Sequence, residues 1–135
     1  MSRLFRRNRI VGIIAGLAIL VIACNGVGDL PPTRDPALPP HIPDAANGER
    51  LFVSESCSAC HSTGSRRITG PGLAGIGASA ATRDAALTTD QYIEQAIRNP
   101  GAFVVGGFNN LMPRAYANLP QDDVDDLIAY LKTLQ

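Results

Sequence analysis

The stretch "SESCSACHSTG", Ser54 to Gly64, holds two of the chain's three cysteines, three residues apart, and one of its two histidines directly after the second. Covalent attachment of haem, half of a zinc site and a redox dithiol all use clusters of this kind. Cys57-Ser58-Ala59-Cys60-His61 matches the C-x-x-C-H pattern of c-type haem attachment. Two thiols at this spacing on a helical turn can face one edge of a porphyrin and add to its two vinyl groups. The adjacent histidine is then carried under the iron as proximal ligand. A structural zinc site needs four ligands, commonly a second Cys pair or two histidines. There is no second pair, and His41, the other histidine, sits among prolines. A thioredoxin-like dithiol needs a strand–helix context, and no alternating apolar run is long enough to supply a strand. The pattern therefore reads as haem attachment.

At 135 residues the chain has room for one domain with extra segments. Arg3, Arg6, Arg7 and Arg9 crowd its start and lead into an uncharged apolar run from Ile10 to Ala23. That is the pattern of a secretory signal or a membrane anchor. "VIAC" at Val21–Cys24 also resembles a bacterial lipobox, with Cys24 as the residue to be lipidated. An uncleaved anchor helix and simple secretion are the alternatives. Arginines ahead of the apolar run place the rest of the protein outside the cytoplasm. Beyond residue 23, eight basic groups stand against twelve acidic ones, a balance that argues against nucleic acid as a partner.

From Asn25 to Pro43 six prolines interrupt the chain, so this segment is an extended tether without a core. In polyproline geometry it would reach roughly 60 Å. The expected organisation is a leader or anchor at 1–23, a proline-rich tether at 24–43 and a folded domain at 44–135. Within that domain three helices are expected. Asp44 can cap one through "AANGERLFVSES", which sets Gly48 and Phe52 on one face. Thr88 and Gln91 match a capping box for "TTDQYIEQAIRNP", with Ile93, Ala96 and Ile97 buried and Asn99–Pro100 as the stop. In "PQDDVDDLIAYLKTLQ", Val124, Leu127, Ile128, Leu131 and Leu134 share a helical face, and the aspartates occupy the first turns. Loops fill Gly64–Gly77 and Gly101–Met112. The expected fold is small and all-α, with a buried macrocycle supplying the apolar mass that a loop-rich chain lacks.

From Asp44 to Gln135 the chain resembles the class I monohaem cytochromes c. The resemblance rests on Gly48 and Phe52 in the first helix, then CSACH, "GPGL" at Gly70–Leu73, "LMP" at Leu111–Pro113 and Tyr130 in the last helix, all in family order. It implies that the first and last helices cross, with Gly48 permitting close approach and Leu127 and Tyr130 facing Phe52. It also implies one covalent haem c, and a Pro71 carbonyl that accepts the His61 Nδ1 proton and orients the ring. Met112 is the only methionine after the leader and stands where the family puts its thioether ligand. A methionine in an arbitrary protein is more often core filler, so His41 as a second imidazole, or an open site, stay as alternatives for the sixth position. The tryptophan that many relatives hold near the haem propionates is absent, which leaves Tyr92, Tyr116 and Arg98 as substitutes. The lysine ring of some soluble relatives is absent too. Arg66 and Arg67 form either a small basic patch or an ordinary solvated loop.

His/Met ligation fills both axial positions and suits single-electron transfer. The function expected is that of a membrane-tethered electron carrier between redox proteins at the outer face of a bacterial cytoplasmic membrane, not an enzyme in itself. The alternative is a fixed monohaem subunit of a membrane oxidoreductase, such as an alternative quinol:acceptor complex or a dehydrogenase. A gas-binding sensor would need an open iron.

Overall fold

The computed structural model describes residues 36–135. The leader and Cys24 lie outside the described residues. Four α-helices follow in chain order: α1 at Ala45–Ser54, α2 at Ile76–Arg83, α3 at Thr89–Arg98 and α4 at Gln121–Leu131. Short 3-10 turns occupy Cys57–Ala59 and Arg114–Asn118, and no strand occurs among the described residues.

The helix starts follow local chemistry. Asp44 accepts from the Ala46 N–H at 2.8 Å and so caps α1. Thr88 and Gln91 close the expected capping box: the Gln91 N–H donates to Thr88 Oγ1 at 3.3 Å and the Thr88 N–H to Gln91 Oε1 at 2.9 Å. α4 has no side-chain cap. It begins behind Pro120, and Asp122 and Asp123 in its first turn suit the positive end of the helix.

The pattern of periodicity anticipated three helices, and α2 is the one it missed. This helix has only eight residues, starts from Gly75 in the left-handed region at φ 65°, and has no side-chain cap. Alanine propensity and burial hold it instead. Ala80 is fully buried beside Ile76, and the Gly75 N–H donates to the Leu134 carbonyl at 3.1 Å.

α1 and α4 form the most extensive helix–helix contact. Gly48 is what allows it: a Cβ there would collide with the Asp126 carbonyl and come within 2.7 Å of Tyr130 Cβ. One turn on, the Phe52 and Tyr130 rings lie 5.7 Å apart at 55°, the tilted geometry that aromatic pairs favour. Phe52, Tyr92, Ile93, Ile97, Val124, Leu127, Ile128 and Leu131 join Ile76 and Ala80 in a single buried cluster.

Two details depart from expectation at this crossing. The aspartates of the last helix were expected together in its first turns, yet Asp126 is set apart from them by being only 2% exposed. His41 is not stranded among the prolines, because its Nε2 donates to Asp126 Oδ1 at 2.7 Å. The Asp44 N–H donates to the same oxygen at 2.6 Å and Asn47 Nδ2 to the other at 2.7 Å. The end of the proline-rich segment is thus fastened to the α1–α4 corner. His41 thus serves this corner as a hydrogen-bond donor.

Burial alone would raise the Asp126 pKa, but the three hydrogen bonds, with the His41 charge, outweigh it and hold the carboxyl below its ordinary range. A depressed folded-state pKa stabilises the fold fully above the unfolded value of about 3.9, and that contribution is lost as pH falls through the folded value. Asp126→Asn should cost roughly 1–3 kcal/mol at neutral pH, since it leaves buried donors mismatched. The gap to the parent protein should shrink as guanidinium titrations are repeated from about pH 7 down to about pH 3.

Candidate functional site

The CSACH segment leaves α1 through Ser56, the single non-glycine residue among those described with positive φ, at 62°. It then winds into one tight turn. The Cys60 and His61 N–H groups donate to the Cys57 carbonyl at 3.1 and 2.9 Å. This turn brings Cys57, Cys60 and His61 to the wall of one cavity of about 340 Å³, within the range of cofactor pockets. Pro71 and Met112 line the same cavity. Five residues separated in sequence by up to 55 positions therefore meet at one site, and all five are the candidate haem residues.

His61 is held from two sides. Its Nδ1–H donates to the Pro71 carbonyl at 2.9 Å, which fixes the tautomer and leaves the Nε2 lone pair uncommitted to that bond. Gly70 lies against the ring, where a Cβ would strike Cε1 and come within 2.8 Å of Nδ1 and Nε2. The Gly70 N–H in turn donates to the Cys60 carbonyl at 2.8 Å, closing the loop back onto the attachment turn.

The remaining walls are mainly apolar. Ile93, Ala96 and Ile97 of α3 face Leu127 and Leu131 of α4, and Phe103, Val104 and Phe108 come from the 101–112 loop. Tyr116, just after Met112, donates its hydroxyl to the Glu55 carbonyl at 2.8 Å and so ties the Met112 segment to the end of α1. Burial pushes its phenol pKa up and keeps it a donor.

Of the three residues considered for the polar edge of the site, Tyr92 and Tyr116 line the cavity and Arg98 does not. Arg98 instead donates to the Ala117 and Leu119 carbonyls at 2.9 and 3.0 Å and to Gln121 at 2.9 Å, bracing the approach to α4. The cation that does reach the cavity is Arg83, whose Nη1 stands 3.4 Å from the Tyr92 hydroxyl. The sequence reading did not single it out. Its position follows from α2, the helix that reading missed.

The rival chemistries fit poorly. Among the described residues no three His, Cys, Asp or Glu side chains converge as metal ligands would, so the two cysteines and His61 do not surround a common ion. The Cys57 thiol is pushed above its ordinary pKa, chiefly by burial, with Glu55 and Cys60 adding to the rise. A reactive dithiol needs the opposite shift.

The family model for cytochrome c matches residues 45–135. The chain belongs to the cytochrome c family. Cytochrome c2 of Rhodospirillum rubrum is 32% identical to it over 114 residues, covering 68% of this chain and 98% of the relative. Cytochrome c oxidase subunit 2 of Alkalihalophilus pseudofirmus is 32% identical over 92 residues, covering 67% of this chain. The match takes in 26% of that oxidase subunit, so this chain corresponds to about a quarter of its length. The protein is a class I monohaem cytochrome c with haem c covalently bound, and Cys57 and Cys60 stand at the family's C-x-x-C-H position. The cavity suits that group: two thiols at one edge, an oriented imidazole, a thioether, apolar walls and one guanidinium. Cytochromes c of this class are electron-transfer proteins.

Proposed function

We propose that this cytochrome c is a membrane-tethered carrier of single electrons, working between redox proteins at the outer face of a bacterial cytoplasmic membrane. In this reading Cys57 and Cys60 would attach the haem, and His61 and Met112 would ligate its iron. The supporting observation is that His61, oriented by Pro71, and Met112 line the same apolar cavity as the two cysteines. When bound, the haem supplies an iron that alternates between ferric and ferrous states and so stores one electron. His61 offers Nε2 because Nδ1 is committed to Pro71. The Met112 thioether favours the reduced state relative to a second imidazole. Phe103, Val104 and Phe108 give the loop side of the site an apolar lining, and Arg83 with Tyr92 would offer a positive, hydrogen-bonding corner to the haem carboxylates.

Anchoring is part of the same proposal. Cys57 and Cys60 account for two of three cysteines, and an odd thiol outside the cytoplasm calls for an explanation. Lipidation of Cys24 after cleavage behind Ala23 provides it, because two or three acyl chains anchor stably where one does not. The proline-rich segment then lifts the haem domain off the bilayer. Intact-mass analysis of membrane-extracted protein should give a chain that begins at Cys24 and carries added lipid. A mass beginning at Met1 or Ser2 would refute lipidation and leave an uncleaved helix as the anchor.

One observation favours a second reading, as a fixed subunit of an oxidoreductase complex: the similarity to a protein named as an oxidase subunit. Mild detergent extraction separates the two. A carrier leaves the membrane alone, whereas a subunit brings its partners with it.

A further inference from the structure

We propose that Arg67 is a positioning residue for the sixth ligand: it clasps the loop that carries Met112 onto the loop that orients His61. The inference rests on the reading of Met112 as that ligand. Arg67 lies on the exposed segment between CSACH and Gly70, and its Nη2 donates to the Gly107 carbonyl at 2.8 Å, forty residues away. The same guanidinium sits 4.2 Å from the centroid of the half-buried Phe108 ring, a cation–π contact. Phe108 lines the haem cavity four residues before Met112.

The two loops differ in how well they hold themselves. On the His61 side, Ser62 Oγ donates to the Arg66 carbonyl at 2.6 Å, the Ile68 N–H to the Gly70 carbonyl at 3.1 Å and the Leu73 N–H to the Ser62 carbonyl at 2.9 Å. Arg67 therefore projects from a braced base. Between residues 103 and 111 the described hydrogen bonds are two short turns, Phe108 to Val105 and Leu111 to Asn109. Phe103 meets Tyr92 edge-on at 5.6 Å at the start of this stretch, and among the described residues the bond from Arg67 is the one hydrogen bond that ties it to a distant part of the chain. Gly107 turns at φ 81°, which presents its carbonyl to the guanidinium while Phe108 faces the cavity. A planar group that stacks on a ring and donates in its own plane does both tasks at once, which an ammonium cannot.

Without the clasp, the loop should move away from the iron more readily and yield the sixth position to an added ligand. The test uses the full-length haem protein in its ferric form, titrated with imidazole as a neutral competitor, and compares Arg67→Ala and Arg67→Lys with the parent. One cation–π contact and one hydrogen bond at an exposed site correspond to about a tenfold rise in imidazole affinity for Arg67→Ala. Arg67→Lys should recover only part of that change, since it keeps the charge and loses the stacked fork. An affinity within about twofold of the parent for Arg67→Ala, or full recovery by Arg67→Lys, would overturn the proposal. Amide hydrogen exchange over residues 105–108 gives a readout independent of ligand identity, and it should quicken in Arg67→Ala. If the parent lacks the far-red band of sulfur ligation, the Met112 reading fails and hydrogen exchange alone decides the clasp. Unchanged exchange then refutes it.

Discussion

Replacing Met112 with alanine is expected to abolish the weak far-red charge-transfer band of the ferric protein, lower its reduction potential and let the ferrous form bind carbon monoxide. Each effect has a separate cause. The band belongs to iron–sulfur ligation, so removing the sulfur removes it. A thioether stabilises ferrous iron, so its loss should lower the potential by on the order of 0.1 V or more, within the roughly 0.8 V that axial ligands span. The vacated position is then open to a small ligand, and the apolar walls around Met112 do nothing to repel carbon monoxide. The fold should survive, because Met112 is only half-buried and Tyr116 still pins the following turn to Glu55. Persistence of the band in the variant would show that another group ligates the iron.

Gly48→Val is expected to be the most damaging single change in the protein scaffold. The added side chain would run into the Asp126 carbonyl, and its first carbon alone would stand 2.6 Å from the Asp126 carbonyl carbon and 2.7 Å from Tyr130 Cβ. These are backbone and Cβ atoms of α4, so no rotamer change relieves the clash. The helices must separate, which breaks the Phe52–Tyr130 contact and exposes the bonds around Asp126. Overpacking of this kind costs about 3 kcal/mol or more, a large share of a typical domain's stability of roughly 5–15 kcal/mol. Guanidinium unfolding of the haem protein should show the loss as a much lower midpoint. Gly106→Ala is the control, since nothing lies within 4 Å of a Cβ built there. It should unfold like the parent.

What was legible in the sequence was chemistry confined to a few adjacent residues. CSACH, with no second Cys pair and no strand pattern beside it, points to the cofactor, Thr88 and Gln91 write their capping box within four positions, and the face from Val124 to Leu131 follows one period. The unread parts depend on partners far along the chain. Asp126 looks like another surface acid of α4 until Asn47 and His41 are brought to it from 79 and 85 residues away. Arg67 looks like half of a solvated pair until Phe108 folds beneath it. Arg83 reaches the cavity from a short alanine-rich helix that begins at the end of the glycine-rich loop, in a stretch to which the sequence assigned no element. Propensity and periodicity carry too little signal in eight residues to reveal such a helix.

The central proposal is that His61 and Met112 would leave no open position on the iron, as suits an electron-transfer protein. The most direct test is the absorption spectrum of the reduced full-length protein before and after carbon monoxide is admitted. The account predicts a low-spin spectrum that does not change; a shifted spectrum with bound carbon monoxide would mean an open iron and contradict it.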